Sequence, residues 1–289
     1  MKVLVTGGAG FIGSHLCERL LRSWFEVICL DNFNDSYTPS AKRKNLDCCV
    51  RCSSFRLIKG DILDAEATGT VMEQEAPEVV VHLAALAGVR GSVLDPLGYV
   101  DTDVKGTVAM LECCRKYGVK KFIFASSSSV YGNSRTPFSE EDTPLVQVSP
   151  YAAAKYSGEL FCRTYSHLYD LPVVCLRFFT VYGPRQRPDM AVHTFTKAII
   201  EGEEIKIFGD GNSTRDYTYV DDVVDGIISS IELPCSFETI NLGNSVTTSI
   251  LELIRILENK LGKRTSLAKK PGSVSFPSSR ATYLPPALI

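Results

Sequence analysis

The sequence predicts an α/β fold in which helices cover both faces of a doubly wound parallel sheet. Short apolar runs with strand character alternate with segments whose apolar residues recur at helical spacing. This alternation is typical of parallel sheets, because consecutive parallel strands need a crossover connection between them. The first strand–helix unit contains a glycine-rich turn, which narrows the prediction to a Rossmann-type sheet.

The glycine-rich turn occupies residues 7–13, directly after an apolar run at residues 2–6. We predict that Gly7 permits the tight turn, that Gly10 lets the backbone approach a pyrophosphate, and that Gly13 lets helix and strand pack closely. The free N–H groups at the start of the following helix would face the anion. The spacing is GxxGxxG, which alone also fits an ordinary turn.

The context of this turn supports a dinucleotide site. A second apolar run ends at Asp31, eighteen residues after Gly13. An acidic side chain at this place can accept hydrogen bonds from the adenosine ribose hydroxyls. Its charge would repel the 2′-phosphate of NADP, so the sequence predicts NAD as the cofactor. A solvated loop aspartate is the alternative interpretation.

Tyr151 and Lys155 are separated by three alanines and lie on one face of a predicted helix. A phenol has a pKa of about 10 in water, so Tyr151 acts as a base near neutral pH only if positive charge stabilises its phenolate. Lys155 supplies that charge, and an oxidised nicotinamide would add a second cation. We therefore predict Tyr151, Lys155 and Ser127 as the catalytic residues, although YxxxK alone is common by chance.

Domain organisation follows from where the strand–helix alternation loosens. After about residue 178, proline and glycine punctuate shorter segments. We predict an NAD-binding domain at residues 1–178, which includes the Tyr-Lys helix, and a smaller substrate-binding lobe at residues 179–289. Ligands of doubly wound sheets bind beyond the carboxyl ends of the strands, which is where the catalytic and glycine motifs lie.

Composition indicates an enzyme that acts on small molecules. The net charge is −2 with both signs interspersed, so no basic block indicates nucleic acid or an anionic membrane as a partner. The longest apolar run is too short to span a bilayer. The chain starts with a strand and without signal-peptide features, so we expect a cytoplasmic protein.

The ten cysteines indicate neither a metal site nor a disulfide framework. Most fall within apolar periodic segments, where cysteine behaves as a small hydrophobe. Cys48, Cys49 and Cys52 cluster, but no second CxxC motif or paired histidine completes a four-ligand set. We therefore expect no metal.

Taken together, these motifs resemble the extended short-chain dehydrogenase/reductase family and, within it, the nucleotide-sugar epimerases. The resemblance covers nearly the whole chain. It rests on the ordered motifs TGGAGFIG (6–13), GDI (60–62), HLAA (82–85), SSSSVYG (126–132), PYAAAK (150–155), LRFFTVYGP (176–184) and RDY (215–217).

The resemblance implies an NAD-dependent inversion of carbon 4 of a UDP-sugar through a transient 4-ketone, in a protein that forms a homodimer. Tyr151 would be the base, Ser127 would contact the reacting oxygen and Lys155 the nicotinamide ribose. The predicted cofactor-binding residues are Gly7, Gly10, Phe11, Ile12, Gly13, Asp31, Asn32, Asp61, Ile62, Leu83, Ala84, Ala85, Tyr151 and Lys155. The predicted substrate-binding residues are Ser127, Ser128, Ser129, Thr180, Arg185, Arg187, Phe208 and Arg215.

The substrate prediction depends on a few positions. Arg185 and Arg187 could clamp a carboxylate by bidentate bonds, and their loop resembles that of UDP-glucuronate 4-epimerases. Phosphate binding or helix capping is the alternative role for both arginines. Thr180 replaces the asparagine of UDP-galactose epimerases, and Ser129 replaces the glutamate of dehydratases and UDP-glucuronate decarboxylases. We therefore expect UDP-glucuronate to be converted to UDP-galacturonate.

Other functions stay open at this point. They are epimerisation of UDP-glucose or UDP-N-acetylglucosamine, decarboxylation of UDP-glucuronate and, least favoured, NAD-dependent regulation without catalysis. Two departures from the family pattern also stand out. Asp103 occupies a position where the family usually has asparagine, and the tail after Pro271 loses the resemblance, so we expect an altered or truncated end.

Overall fold

The computed structural model describes residues 1–35, 37–142 and 146–270. The altered end predicted after Pro271 lies outside the described residues. The strands are β1 (Lys2–Thr6), β2 (Glu26–Asp31), β3 (Phe55–Lys59), β4 (Val79–His82), β5 (Lys121–Ser127), β6 (Val173–Phe178), β7 (Thr180–Tyr182), β8 (Ile205–Phe208), β9 (Thr214–Tyr219), β10 (Phe237–Leu242), β11 (Thr247–Ser249) and β12 (Leu267–Lys270). The α-helices are α1 (Phe11–Arg22), α2 (Pro39–Asn45), α3 (Ala65–Glu75), α4 (Val89–Leu94), α5 (Pro96–Tyr99), α6 (Gly106–Lys116), α7 (Pro150–Tyr169), α8 (Ala191–Glu201), α9 (Val220–Glu232) and α10 (Ile250–Leu261).

Seven parallel strands form the large sheet in the order β10-β6-β5-β4-β1-β2-β3. Because β1 lies between β2 and β4, the strand order reverses beside the glycine-rich turn. The crevice at such a reversal is where doubly wound sheets bind ligands. The predicted α/β fold with a parallel sheet is confirmed.

The core lies on both faces of this sheet, as the apolar runs of the strands predict. Val3 and Val5 of β1 point to the face covered by α1 and α9. Leu4, one residue out of phase, points to the opposite face with Met72 of α3 and Met110 of α6. Side chains alternate along a strand, so a strand buried on both sides must be apolar throughout.

Within its described residues, 179–270, the smaller lobe contains two small sheets, β11-β9-β7 and β12-β8. The two segments that we predict on either side of residue 178 are not spatially separate, because β10 of the later segment pairs with β6 of the earlier one. Helix α9 likewise packs on the large sheet. The later segment therefore completes the large sheet as well as forming the small lobe.

Helix α7 places the Tyr-Lys pair at its N-terminal end. Ser149 caps the helix by accepting a hydrogen bond from the Ala152 N–H at 3.1 Å, and Pro150 occupies the first turn. Tyr151 and Lys155 follow in the first and second turns. The capped first turn fixes their position against the carboxyl end of β5.

The described ranges hold no helix long and apolar enough to cross a membrane. In the same ranges, no group of three or more histidine, cysteine, aspartate or glutamate side chains is arranged to hold a metal ion. All ten cysteines are free, and the two most exposed are Cys48 and Cys52.

Candidate active site

A cavity of about 630 Å³ opens at the carboxyl ends of the strands of the large sheet. Most of the residues predicted to bind cofactor or substrate line it. They are Gly7, Gly10, Phe11, Ile12, Gly13, Asp31, Asn32, Asp61, Ile62, Leu83, Ala84, Ala85, Ser127, Ser128, Ser129, Tyr151, Lys155, Thr180 and Arg187. The structure thus brings together segments that lie far apart in the sequence.

The glycine-rich turn forms one wall of the cavity. A Cβ atom at Gly13 would lie 2.3 Å from the Gly7 carbonyl oxygen, so only glycine permits this close approach of helix and turn. Gly7 has a φ of +68°, which glycine adopts without strain. Among the described residues, no side chain caps the N-terminus of α1, and its free N–H groups are available to an anion.

Asp31 lies at the end of β2, buried at the second wall. Its Oδ2 accepts from the Ala9 N–H at 3.0 Å, its Oδ1 accepts from the Phe33 N–H at 2.8 Å, and Lys42 Nζ lies 3.9 Å from Oδ1. These contacts fix the orientation of the carboxylate. A carboxylate has about four acceptor sites, so capacity remains for ribose hydroxyls.

These two walls fit NAD. The uncapped helix start suits a pyrophosphate, and the fixed carboxylate suits a ribose without a 2′-phosphate. Tyr37 also lines this cavity, and its buried hydroxyl has no hydrogen-bond partner within the described ranges. A Cβ atom at Gly10 would come within 4.0 Å of that hydroxyl. A polar atom held without a partner beside the glycine turn is what a bound phosphate would satisfy.

The three predicted catalytic side chains lie together at the third wall. Ser127 ends β5, and its Oγ accepts from the Ser129 N–H at 3.1 Å. Lys155 Nζ lies 6.0 Å from the centre of the Tyr151 ring. The Tyr99 ring meets that of Tyr151 edge to face at 6.1 Å. The arrangement allows a base, a hydroxyl donor and a cation to act on one bound group.

A buried ion pair connects the elements that carry Ser127, Tyr151 and Lys155. Arg177 of β6 donates to both carboxylate oxygens of Glu159 on α7, at 2.9 and 2.7 Å. Ser126 Oγ donates to the same carboxylate at 2.5 Å, one residue before Ser127. Bidentate pairs of this kind fix geometry as well as charge. Helix α7, which carries Tyr151 and Lys155, is thereby bonded to β5 and β6.

A second polar group lies behind Lys155. Asp103 is fully buried, its Oδ1 accepts from the Leu86 N–H at 2.7 Å, and its Oδ2 lies 3.7 Å from Lys155 Nζ. Burial raises the pKa of Asp103, and the Lys155 charge opposes that rise. Burial, followed by the same charge, lowers the pKa of His82 nearby to about 3.

The two arginines proposed as a carboxylate clamp separate in the structure. Arg185 does not line the cavity, because its guanidinium pairs with Glu18 of α1 at 2.5 Å and with Ser14 Oγ at 3.3 Å. Arg187 does line the cavity. It donates to both oxygens of Asp189, at 3.0 and 2.8 Å, and to the Ala87 carbonyl at 3.1 Å. Of the two arginines, only Arg187 lines the cavity, and a role for either in binding a carboxylate stays a prediction.

Two further predicted substrate contacts are not brought to this cavity. Arg215 lies on β9, where its Nη1 donates to the Thr214 carbonyl at 2.7 Å, and it does not line the cavity. Phe208 ends β8, but its side chain lies outside the described part of the structure. The role of both residues stays a prediction.

Several cavity residues escape the sequence analysis. Tyr37, Tyr99 and Lys42 line the cavity but follow no motif and lie in loops or short helices. The Glu159–Arg177 pair is also not predictable from the sequence, because the two residues lie on different elements, α7 and β6. Asp103 left one signal, its departure from the asparagine of the family pattern.

Comparison with known proteins gives the site a context. The NAD dependent epimerase/dehydratase family model matches residues 3–243. A UDP-glucuronate 4-epimerase of Thermodesulfobacterium geofontis (strain OPF15) is 45% identical over 265 residues, which cover 90% of this chain and 81% of that protein.

Solved structures match over nearly the whole chain. The crystal structure of a UDP-glucuronic acid 4-epimerase from Bacillus cereus, in complex with UDP-glucuronic acid and NAD, has a TM-score of 0.92 and 40% identity, with 98% of this chain and 90% of that chain covered. A UDP-glucose 4-epimerase with UDP-glucose from Thermotoga maritima has a TM-score of 0.90 and 36% identity, with the same coverage. The relatives therefore include enzymes named for two different sugars.

Proposed function

The chain belongs to the NAD dependent epimerase/dehydratase family, and we propose that it converts UDP-glucuronate to UDP-galacturonate. It is an NAD-dependent nucleotide-sugar 4-epimerase, and the choice of sugar is the part that is proposed. The observation that carries this choice is the position of Arg187 in the cavity wall next to Tyr99, whose ring meets that of Tyr151. A Cβ atom at Gly88 would lie 3.6 Å from Arg187 Nη2 and 4.0 Å from Tyr99 Oη. A cation beside the base suits a sugar whose carbon 6 is a carboxylate.

NAD held by the glycine turn and Asp31 supplies the hydride acceptor and donor of the reaction. Tyr151 Oη takes the proton of the sugar 4-hydroxyl, and Lys155 stabilises the phenolate that makes this transfer possible. Ser127 donates a hydrogen bond to the oxygen on carbon 4, which becomes a ketone. After the ketone has turned in the cavity, carbon 4 would receive the hydride on its other face while Tyr151 returns the proton to the same oxygen, and the stereocentre is thereby inverted.

The carboxylate of glucuronate would bind the guanidinium of Arg187. In the absence of substrate, Asp189 occupies both donors of that fork, and the Asp189 side chain is 63% exposed. A substrate carboxylate in the cavity would replace this exposed partner with a more sheltered one. Charge-assisted bidentate bonds gain strength where water is excluded.

Epimerisation is favoured over the other reactions of a 4-keto sugar. A 4-keto glucuronate is a β-keto acid, which loses carbon dioxide when its carboxylate aligns with the ketone. A carboxylate held by Arg187 is kept from that alignment. The cavity also presents the hydroxyl of Ser129 where decarboxylases of similar sequence carry a glutamate.

A second candidate is epimerisation of a neutral UDP-hexose, either UDP-glucose or UDP-N-acetylglucosamine. The observation that favours it is the Arg187–Asp189 pair itself, which a neutral sugar would leave undisturbed. Non-catalytic regulation is disfavoured, because such a protein does not need Ser127, Tyr151 and Lys155 around one cavity.

The test is a substrate panel. The purified protein with NAD is incubated separately with UDP-glucuronate, UDP-glucose and UDP-N-acetylglucosamine, and the sugar products are resolved by chromatography. We expect UDP-galacturonate to form with a kcat/KM at least about tenfold above that for the neutral sugars, since a charged hydrogen bond contributes roughly 1.5–3 kcal/mol. Faster turnover of a neutral sugar would establish the second candidate, and a UDP-pentose with carbon dioxide would indicate a decarboxylase.

A further inference from the structure

The carboxyl group of Asp103 is buried directly behind the catalytic lysine. Asp103 lies in the π-helical turn Val100–Lys105, which joins α5 to α6. Its side chain has no solvent exposure, and that of Lys155 is 5% exposed. One oxygen, Oδ1, is satisfied by the Leu86 N–H. The other, Oδ2, has no hydrogen-bond partner within the described ranges and lies 3.7 Å from Lys155 Nζ.

The groups around Asp103 leave Lys155 as its counter-ion. Helix α5 contributes Tyr99, which is neutral because burial, followed by the Asp103 charge, raises its pKa to about 12. Strand β4 contributes His82, which is uncharged near neutral pH because its pKa is lowered to about 3.

The remaining neighbours of this turn add no charge beside the carboxylate. Helix α6 contributes Thr107, which donates to the Asp103 carbonyl at 2.6 Å and lies 3.3 Å from the His82 ring. Helix α7 contributes Lys155 and, beyond it, the phenol of Tyr151. Asp101 and Lys105, on the turn itself, are exposed to solvent.

The charge of Asp103 is more than the local backbone needs. The Leu86 N–H requires an acceptor, and an asparagine oxygen would serve it equally well. A carboxylate therefore adds one thing, a negative charge 3.7 Å from Lys155, the cation on the same helix as Tyr151. Arg187, the second cation at this wall, pairs with Asp189 instead.

We propose that Asp103 is a positioning residue whose carboxylate partly neutralises Lys155 and so shifts the acid limb of the activity to higher pH. The inference deepens the proposed function and rests on it for the role of Tyr151. A lone lysine presents a unit charge to the phenolate, whereas the Lys155–Asp103 pair presents a dipole whose field falls off faster. Ionisation of Tyr151 then depends more strongly on the positive charge that the bound cofactor brings.

The experiment compares pH profiles of kcat/KM for the wild type and Asp103→Asn, with whichever UDP-sugar the panel shows to be turned over fastest. We expect the midpoint of the acid limb to move down by about one pH unit in Asp103→Asn, roughly the effect of one unit charge 10 Å away at an effective dielectric constant of about 20. Below that midpoint the variant would be relatively more active than the wild type, by up to about tenfold.

A matched control separates charge from structure. Asp101→Asn removes an exposed carboxylate from the same turn, and its midpoint should stay at the wild-type value because solvent screens the charge. Asp103→Ser, with a smaller neutral acceptor, should move the midpoint in the same direction as Asp103→Asn. It replaces Asp103→Asn in the comparison if Asp103→Asn does not fold. Activity that falls equally at every pH in both Asp103 variants would assign a purely structural role and overturn the proposal.

A second readout does not depend on turnover. Ionisation of Tyr151 is followed by ultraviolet absorbance of the cofactor-free protein between about pH 5 and pH 10, as the difference from a matched Tyr151→Phe protein. We expect this titration to move to lower pH in Asp103→Asn. If the substrate panel fails while this titration moves, the proposed function is wrong but the Asp103 inference stands. An unmoved titration overturns the inference whatever the panel shows.

Discussion

At the scale of single residues, Tyr151 is the strongest test of the chemistry. Tyr151→Phe keeps the ring against Tyr99 but removes the ionisable hydroxyl, so turnover should fall by a factor of about 10²–10⁴, the usual contribution of a general base. NAD should stay bound, because the glycine turn and Asp31 are untouched. The measurements are steady-state kinetics and the nucleotide content of the purified protein.

The control for this variant is Tyr169→Phe, at the far end of α7, where the side chain is 47% exposed. It should leave activity unchanged. Wild-type turnover in Tyr151→Phe would rule out Tyr151 as the base.

Arg187 and Arg185 form a matched pair for the carboxylate clamp. Arg187→Ala should lower the preference for UDP-glucuronate over UDP-glucose by one to two decades, since a hydrogen bond to a charged group contributes roughly 1.5–3 kcal/mol. It should also release some UDP-pentose, because the freed carboxylate can align with the ketone. Arg185→Ala breaks contacts with Glu18 and Ser14 instead. That variant should leave the ratio of the two substrates unchanged.

Kinetic constants for both sugars decide between the clamp and its alternatives. An equal loss for both sugars in Arg187→Ala, without any pentose, would assign Arg187 to phosphate binding or structure. A changed substrate ratio in Arg185→Ala alone would restore the first clamp prediction.

These two arginines also show where sequence reasoning stops. Gly13, Ser127 and Tyr151 are predictable because each belongs to a motif whose spacing fixes its place at a strand end or in a helix turn. Arg185 and Arg187 share one loop, and the direction of each side chain depends on backbone torsions that the loop sequence does not encode. Arg185 has a φ of +64°, outside the ordinary range for its residue type.

At the scale of secondary-structure elements, the contact between β5 and α9 is held by a buried lysine. Lys121 Nζ donates to the carbonyl oxygens of Ser230, at 3.3 Å, and Ile231, at 3.0 Å, and to that of Leu233. These carbonyls lie at the C-terminus of α9, where the last carbonyls of a helix have no N–H partner within the helix. The positive charge of Lys121 also interacts favourably there with the negative end of the helix dipole. The strand that leads to Ser127 is thereby tied to a helix contributed by the later segment.

Lys121→Met should lower the free energy of unfolding by about 1–3 kcal/mol, because it leaves buried carbonyls without a donor. The adjacent Lys120→Met is the control. Its side chain is 73% exposed and pairs with Glu78 at the surface, so it should change stability by less than about 0.5 kcal/mol. Urea unfolding of both variants checks the prediction. Equal stability of Lys121→Met and the wild type would show that water replaces the ammonium at the end of α9.

The helices and strands are easier to predict from this sequence than the pairing of the strands. Strand–helix alternation predicts the parallel sheet, because each apolar run must be covered on both faces. It does not predict that β10 returns to pair with β6, since that pairing joins residues about 64 apart along the chain and depends on where the small lobe leaves the sheet. The boundary at residue 178 marks the point where the strand–helix alternation becomes irregular, and it is not an edge of the large sheet.

At the scale of the whole molecule, the site is assembled from both sides of that boundary. Residues 1–178 provide the glycine turn, Asp31 and the Tyr-Lys helix, while the following segment provides Thr180 and Arg187. Predicted cofactor contacts and these two predicted sugar contacts therefore line one cavity. Under the proposed mechanism, a ketone that turns between two hydride transfers needs such a continuous space.

The last prediction concerns assembly through the outer face of α7. Leu160 and Leu168 are exposed there, and Leu97 and Val100 are exposed on the neighbouring turns, each by more than half of its surface. The turns and α7 pack against each other, so we expect these side chains to form one apolar surface. Surfaces of this kind mark sites of association, and helix pairing across a twofold axis would bury them.

We therefore expect a homodimer with twice the 31.7 kDa mass of one chain, measured by light scattering at micromolar concentration. Leu160→Glu combined with Val100→Glu should give the monomer, because a buried pair of unpartnered carboxylates cannot be accommodated in the interface. Ile256→Glu, on the exposed side of α10 and 46% exposed, is the matched control and should leave the dimer intact. A monomeric wild type, or a dimer that survives both substitutions, would assign the exposed apolar face to another partner or to none. Because Tyr151 lies at the start of the same helix, the monomeric variant should also lose part of its activity, and its kinetics would measure how far dimerisation holds the catalytic helix in place.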